Sequence, residues 1–261
     1  MARFCPLFSS SSGNCIYIGN GDTHILVDAG VSAQRITAAL QNIGVAKEDL
    51  SAVFVTHEHS DHISGLHALL AKTDVPVYLS KGTLSALLER PAISKGLDFR
   101  EMNADVTVGN ITAHRFHTSH DCPDSSAYRF SLGNGHNFAV CTDTGVITDE
   151  IRENLTGCDL CLVESNHDVN MLNHGPYPPQ LKMRILSDKG HLSNGSCAEE
   201  LPRLVGEGTT HIILGHLSRH NNLPEVARKA AELSLLKAGL TENMDYRLFV
   251  APPAGGKLIS L

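Results

Sequence analysis

Apolar and polar positions alternate in three short runs near the start of the chain, RFCPLF, NCIYIG and HILVDAG, separated by SSSSG and NGD. Successive strand residues face opposite sides, so this period of two predicts three strands joined by turns, a β-meander. The spacing changes over residues 32–43, SAQRITAALQNI, where Ile36, Leu40 and Ile43 recur at helical intervals. Ser32 is the candidate cap of that helix and Gly44 its stop. The apolar run SAVFVT predicts a strand that ends at a group of histidines. After it, ISGLHALLAK reads as helix, VPVYL as strand, and SKGTLSALLE as a helix that stops before Pro91.

The second half repeats this logic. Strands are predicted at FREM, ITAHRFHT, SAYRFSL and NFAVCTDT, then a helix near ITDEIREN and the buried run LCLVE. Helices near PPQLKMRIL and SCAEELPRLV, the strand HIILGH and the helix PEVARKAAELSLLKAG complete the pattern. Strand clusters interleaved with helices in both halves predict an α/β fold with two sheets face to face and helices outside. At 261 residues, with no linker or low-complexity tract, the expectation is one domain over residues 1–261. The SSSS run is too short to separate domains and reads as a loop.

Composition narrows the class. Hydrophobic residues make up 42% of the chain and there are 22 glycines, as in ordinary globular proteins. No stretch approaches the ~20 apolar residues that cross a bilayer, and the N-terminus lacks a basic segment followed by a continuous apolar one. A cytoplasmic protein without membrane attachment is therefore expected. Cysteines 5, 15, 122, 141, 158, 161 and 197 are odd in number and lack the spacing of a disulfide framework, so reduced, mostly buried thiols are expected. Cys158 and Cys161 form a C-x-x-C that could be a redox or zinc pair, although DLCLVE reads as a buried strand. The formal net charge of −7 offers no basic field for nucleic acid, which would have to be held by local Lys, Arg and metal charge.

The unusual feature is 15 histidines beside five tyrosines and no tryptophan. His57, His59, Asp61 and His62 stand within six residues of one another, with Glu58 and Ser60 between them, directly after the strand SAVFVT. Such a loop lets alternate side chains converge on one point. A purely structural role would require each imidazole and carboxylate to find its own partner near a core, an unfavourable arrangement. Metal ligation accounts for all of them at once. Glu58 alternates with the inward histidines and is expected to be exposed.

The H-x-H-x-D-H segment after an apolar strand resembles the metallo-β-lactamase superfamily, which implies a four-layer αββα sandwich. The resemblance continues with Asp28 in ILVDAG as the carboxylate behind the histidine loop. His120 in TSHD, Asp143 in CTDTG and His216 in LGHLS, each at the end of an apolar run, follow in the family's order. By resemblance His57, His59 and His120 bind one metal ion, Asp61, His62 and His216 another, and Asp143 bridges them. This set of nitrogen and oxygen donors accommodates two divalent ions, Zn²⁺, Mn²⁺ or Fe²⁺. Such a pair can activate water for in-line attack at phosphorus, with Asp61 counted among the catalytic groups.

The segments LVESN, GHLSNGSCAEEL and THIILGHLSRHNN resemble RNase Z, in which a glutamate supports a proton-donating histidine. Glu164 and His191 would be that pair here, with His167 a second candidate. The alternatives are a capping role for His191 and a strand-end role for Glu164. No arm long enough to grip tRNA is present, nor room for the inserted domain of RNase J-type nucleases. The opening FCPLFSSSSGNCIYI, with CTDTG, LVESNHDVNMLNHGPYP, KGHLSN and LGHLSRHNN, is more similar to the YycJ/WalJ (VicX) branch. That resemblance covers nearly the whole chain and implies a 5′ exonuclease on double-stranded DNA.

Ser11, Ser12 and Asn14 in the SSSSGN loop could offer hydroxyls and backbone N–H groups to a phosphate, or form a plain hairpin turn. Ser193, Ser218 and Arg219 are further candidate substrate contacts, Arg219 with a guanidinium that forks onto phosphate. Rival functions are a small-molecule cyclic phosphodiesterase, favoured by the modest size and negative charge, and a glyoxalase II-like thioesterase, in which Glu164 and His191 would lack a purpose. A non-catalytic regulatory protein stabilised by metal is the third, disfavoured because seven convergent ligands are a costly way to hold a fold. The sequence leaves the oligomeric state open.

Overall fold

The computed structural model describes residues 1–261. The chain runs β1 (Ala2–Phe8), β2 (Cys15–Asn20), β3 (Thr23–Val27), α1 (Ala33–Asn42), a 3₁₀ turn at Lys47–Asp49, β4 (Leu50–Phe54), α2 (Ser60–Ile63) and α3 (Leu66–Leu70). It continues through β5 (Val77–Leu79), α4 (Lys81–Leu88), α5 (Pro91–Ser94), β6 (Phe99–Glu101), β7 (Val106–Val108), β8 (Ile111–His117), β9 (Ser126–Leu132) and β10 (Asn137–Cys141). The rest comprises α6 (Asp149–Leu155), β11 (Leu160–Glu164), α7 (Val169–His174), α8 (Pro179–Leu186), α9 (Asn194–Gly206), β12 (His211–Gly215), α10 (Pro224–Lys237), β13 (Arg247–Val250) and β14 (Ile259–Ser260). Two compact units result, one of residues 1–115, 122–136 and 252–261, the other of residues 116–121 and 137–251.

The first unit is built on a seven-stranded sheet, β14-β1-β2-β3-β4-β5-β6. The expected meander forms its antiparallel part, with Arg3 opposite Gly19 and Tyr17 opposite Leu26. From β3 to β6 the strands run parallel. Parallel strands are covered on both faces, which explains the continuous apolar runs of β3 and β4. Ile36 and Leu40 of α1 and Leu66, Leu69 and Leu70 of α3 are buried in the same cluster as Leu26 and Val53. β9 packs over β4: Phe54 meets Tyr128 and Phe130 edge-on at 5.5 Å each, and the Tyr128 hydroxyl donates to the Val55 carbonyl at 2.6 Å. Aromatic pairs of this kind add about 0.5–1.5 kcal/mol beyond burial. Ser32 occupies the cap position of α1, but its side chain makes no capping bond. Gly44 ends the helix with φ +75°, a conformation glycine adopts without strain.

The second unit carries four parallel strands in the order β13-β12-β11-β10. β11, at its centre, is wholly buried along LCLVE, which places Cys161 in the core. Six of the seven cysteines are buried. Thr148, Asp168 and Ser193 cap α6, α7 and α9 with side-chain oxygens; such caps stabilise by about 1 kcal/mol each. In both units the carboxyl ends of parallel strands carry the candidate chemistry: Asp28 after β3, His57 after β4, Asp143 after β10, Glu164 at the end of β11 and His216 after β12. No helix is long and apolar enough to cross a membrane.

Candidate metal centre

In the first unit a buried carboxylate organises the histidine loop. Asp28 is 2% exposed and adopts φ +63°, a left-handed conformation rare outside glycine. Its Oδ1 accepts the Thr56 backbone N–H at 2.8 Å, and its Oδ2 accepts the Thr56 hydroxyl at 2.9 Å and His62 Nδ1 at 2.7 Å. With its proton given to Asp28, the Thr56 hydroxyl is left to accept from His57 Nδ1 at 3.0 Å. Burial raises the Asp28 carboxyl above its usual range, and His62 and Thr56 oppose that rise by binding the charged form. The rings of His57 and His59 meet edge-on at 4.5 Å, and those of His57 and His62 lie 4.1 Å apart.

The SSSSGN loop braces this arrangement from behind. Asn14 donates its backbone N–H to the Asp61 carbonyl at 2.8 Å and sets its side-chain nitrogen 3.1 Å from His62 Nε2. Gly30, which donates to the Asn14 carbonyl, lies so close that a Cβ would sit 1.6 Å from the Asp61 oxygen, so only glycine fits. Asn14 is buried and engaged with the ligand loop, whereas Ser11 and Ser12 at the loop tip are exposed. Glu58 departs from its expected exposure: it is 5% exposed, and the Arg90 guanidinium donates to its carbonyl at 2.8 Å. The alternation argument fails there because β4 ends at Phe54, and the chain beyond it is no longer a strand.

The second unit is organised around Glu164, which is completely buried. Its Oε1 accepts His191 Nδ1 at 2.9 Å and His216 Nδ1 at 2.7 Å, while its Oε2 accepts the backbone N–H groups of Thr144 and Leu192 at 2.9 and 3.1 Å. Burial alone would raise this carboxyl, but the two imidazoles and their hydrogen bonds outweigh burial and hold it at about 2. Asp143 Oδ1 lies 3.5 Å from His216 Nδ1 and 3.8 Å from His120 Nε2. Asp143 and His216 both have positive φ, +58° and +56°, so three of the four non-glycine residues in this conformation are predicted site residues. Strained backbone of this kind persists where surrounding contacts enforce it.

The hydrogen bonds also fix tautomers. Nδ1 of His120 faces the Gly190 carbonyl at 3.1 Å, and Nδ1 of His62, His191 and His216 faces a carboxylate. Each acceptor requires a proton on Nδ1 and leaves the lone pair on Nε2, the form in which imidazoles bind metals; at His62 that lone pair faces the Asn14 side-chain nitrogen. Asp143, Glu164, His191 and His216 gather within 4.8 Å of one another, with Glu164 engaged by N–H groups and so orienting the imidazoles. Imidazole nitrogens and carboxylate oxygens oriented by a second layer of carboxylates fit a divalent metal ion.

The remaining predicted residues fall into place separately. His167 is 1% exposed with neither ring nitrogen hydrogen-bonded, and burial lowers its pKa to about 4. Ser193 is occupied as the cap of α9, and the Ser218 hydroxyl accepts from Asn221. Arg219 is exposed directly after the His216 loop. Sequence reasoning missed Thr56 and the buried amides of Asn166, Asn194 and Asn222, since a lone threonine or asparagine carries no recognisable spacing.

The sequence model of the beta-lactamase superfamily domain matches residues 23–216. The chain is 38% identical over 255 residues to Exodeoxyribonuclease WalJ of Streptococcus pneumoniae serotype 2 (strain D39 / NCTC 7466), covering 96% of this chain and 94% of that protein. It is 39% identical over 253 residues to Exodeoxyribonuclease YycJ of Bacillus anthracis, covering 96% of each. The crystal structure of the metallo-beta-lactamase fold protein YhfI from Bacillus subtilis superposes with a TM-score of 0.72 at 18% identity over 100% of both chains. That likeness bears out the expected α/β fold.

Proposed function

The chain belongs to the beta-lactamase superfamily, and on that footing we propose that it is a metal-dependent exodeoxyribonuclease that degrades double-stranded DNA from the 5′ end. Two relatives that match nearly its whole length carry the name exodeoxyribonuclease, which supports DNA as the substrate. The observation that carries the reading is the Glu164 carboxylate shared by His191 and His216. A thioesterase would have no use for the first of these pairings.

The ligand set follows the family pattern: His57, His59 and His120 for one ion, Asp61, His62 and His216 for a second, Asp143 for both, with Zn²⁺ or Mn²⁺ the preferred metals. Bound ions would supply an activated water and offset charge at phosphorus. His191, 18% exposed at its side chain, keeps Nε2 clear for a proton while Glu164 stabilises the imidazolium through Nδ1. A proton passed from His191 to the departing alkoxide keeps full charge from building on it. Arg219, with Ser11 and Ser12, is assigned to the DNA backbone, where a forked guanidinium suits a phosphate. A cytoplasmic location accords with a DNA substrate.

The test is a substrate panel with the metal-loaded protein: 5′-phosphorylated duplex DNA, single-stranded DNA, RNA and bis(p-nitrophenyl) phosphate, beside metal analysis after dialysis. Preferred loss of duplex DNA with two ions per chain is expected. Turnover of the small diester alone would replace this reading with that of a small-molecule phosphodiesterase.

A further inference from the structure

We infer that Asn166 is a positioning residue that fixes His191 and His216 against the carboxylate they share, an inference that rests on the phosphodiesterase reading above. Asn166 is 3% exposed and lies two residues beyond Glu164, where β11 gives way to a loop. Its side-chain nitrogen donates to the His216 carbonyl at 2.9 Å. Its backbone N–H donates to the Leu192 carbonyl, also at 2.9 Å, and its own carbonyl accepts from Ser218 at 2.8 Å. One residue therefore ties together the turn that presents His191 and the turn that presents His216.

Both turns need such a tie. His216 holds a left-handed backbone with φ +56°, which no strand ladder maintains beyond Gly215. His191 and Leu192 precede α9 in an irregular stretch, where the Leu192 N–H reaches Glu164 and its carbonyl reaches Asn166. The imidazoles can share one carboxylate oxygen only if these turns keep their spacing.

Asn166 is itself anchored. The Asn222 side-chain nitrogen donates to the carbonyls of Ser165 and Asn166 at 2.9 and 3.0 Å. Asn194 donates to the Asn222 side-chain oxygen at 2.8 Å and accepts from the Ser165 hydroxyl at 2.7 Å. A buried amide network with its partners in place is rigid, because moving any member leaves polar groups unsatisfied. Asn166 touches no reacting atom; it acts through the two histidines.

The decisive pair of variants is Asn166→Ala and Asn166→Asp. The aspartate keeps the shape but cannot donate to the His216 carbonyl, so it tests the bond even if the alanine folds poorly. The readouts are kcat and KM on duplex DNA, together with ¹⁵N-histidine spectra of the imidazole N–H groups of His191 and His216. We expect kcat to fall about 10- to 100-fold with KM little changed, the range typical of groups that orient a metal ligand. We also expect the His216 N–H signal to shift or broaden. Wild-type kcat and unaltered imidazole spectra in Asn166→Asp would overturn the inference. An inactive wild-type protein would instead overturn the phosphodiesterase reading on which it rests.

Discussion

Glu164 and His216 are joined by a 2.7 Å hydrogen bond to Nδ1 through the same carboxylate oxygen that receives His191 at 2.9 Å. One buried charge thus orients a proposed metal ligand and a proposed proton donor. The other oxygen is occupied by the N–H groups of Thr144 and Leu192. All the contacts of this carboxylate call for an acceptor, which defines how it fails when altered.

Glu164→Gln should therefore be damaging although it preserves shape. An amide NH₂ must face either the two imidazole N–H groups or the two backbone N–H groups, leaving donors opposed to donors. The expected outcome is a fall in kcat of about 10²–10⁴-fold, the range associated with loss of general acid–base help. A stability loss of about 1–3 kcal/mol should accompany it, from buried donors left unmatched. Steady-state kinetics and urea unfolding check the two effects separately.

Asp28→Asn disturbs the corresponding support in the first unit. His62 Nδ1 and the Thr56 hydroxyl both direct protons at Asp28 Oδ2, and an amide nitrogen there would repel both. Metal affinity should weaken by about 10- to 100-fold, as for other carboxylates behind metal-bound histidines. Isothermal titration with Mn²⁺ or Zn²⁺ measures it.

His167 gives the protein a pH-dependent stability. Burial lowers its pKa from 6.5 to about 4, so the unfolded chain takes up the proton first as pH falls. Its contribution is fully present above 6.5 and is lost as pH drops toward 4. Urea midpoints compared across that window should fall less steeply for His167→Asn than for wild type; equal slopes would remove His167 from the account.

Arg219→Ala should raise KM on duplex DNA while kcat is retained, because the guanidinium is assigned to the phosphate backbone and not to the chemistry. The salt slope of binding should shrink by about 1, the signature of one lost phosphate contact. Fluorescence anisotropy at several salt concentrations provides that slope.

These predictions divide according to what the sequence made legible. The histidine loop stood out by its density of ligands after an apolar run, and Asp143, Glu164 and His216 by the resemblance of their motifs to those of known families; in the structure parallel strands deliver them at their carboxyl ends. α1, α9 and α10 announced themselves by helical spacing and flanking Ser, Gly or Pro. β7, β13 and β14, at two to four residues, are too short for an alternating pattern to emerge. The inward turn of Glu58 and the brace formed by Asn14 depend on tertiary contacts that no local period encodes. Asn166 was invisible for the same reason: its significance lies in linking residues 192 and 216, which are distant in sequence.

The most direct test of the account is digestion of linear 5′-phosphorylated duplex DNA by the Mn²⁺-loaded protein, with His59→Ala as the matched control. The account predicts progressive loss of nucleotides from the 5′ end by the wild-type protein and none by the variant. Equal degradation by both, or intact duplex after prolonged incubation with the metal-loaded wild type, would contradict it.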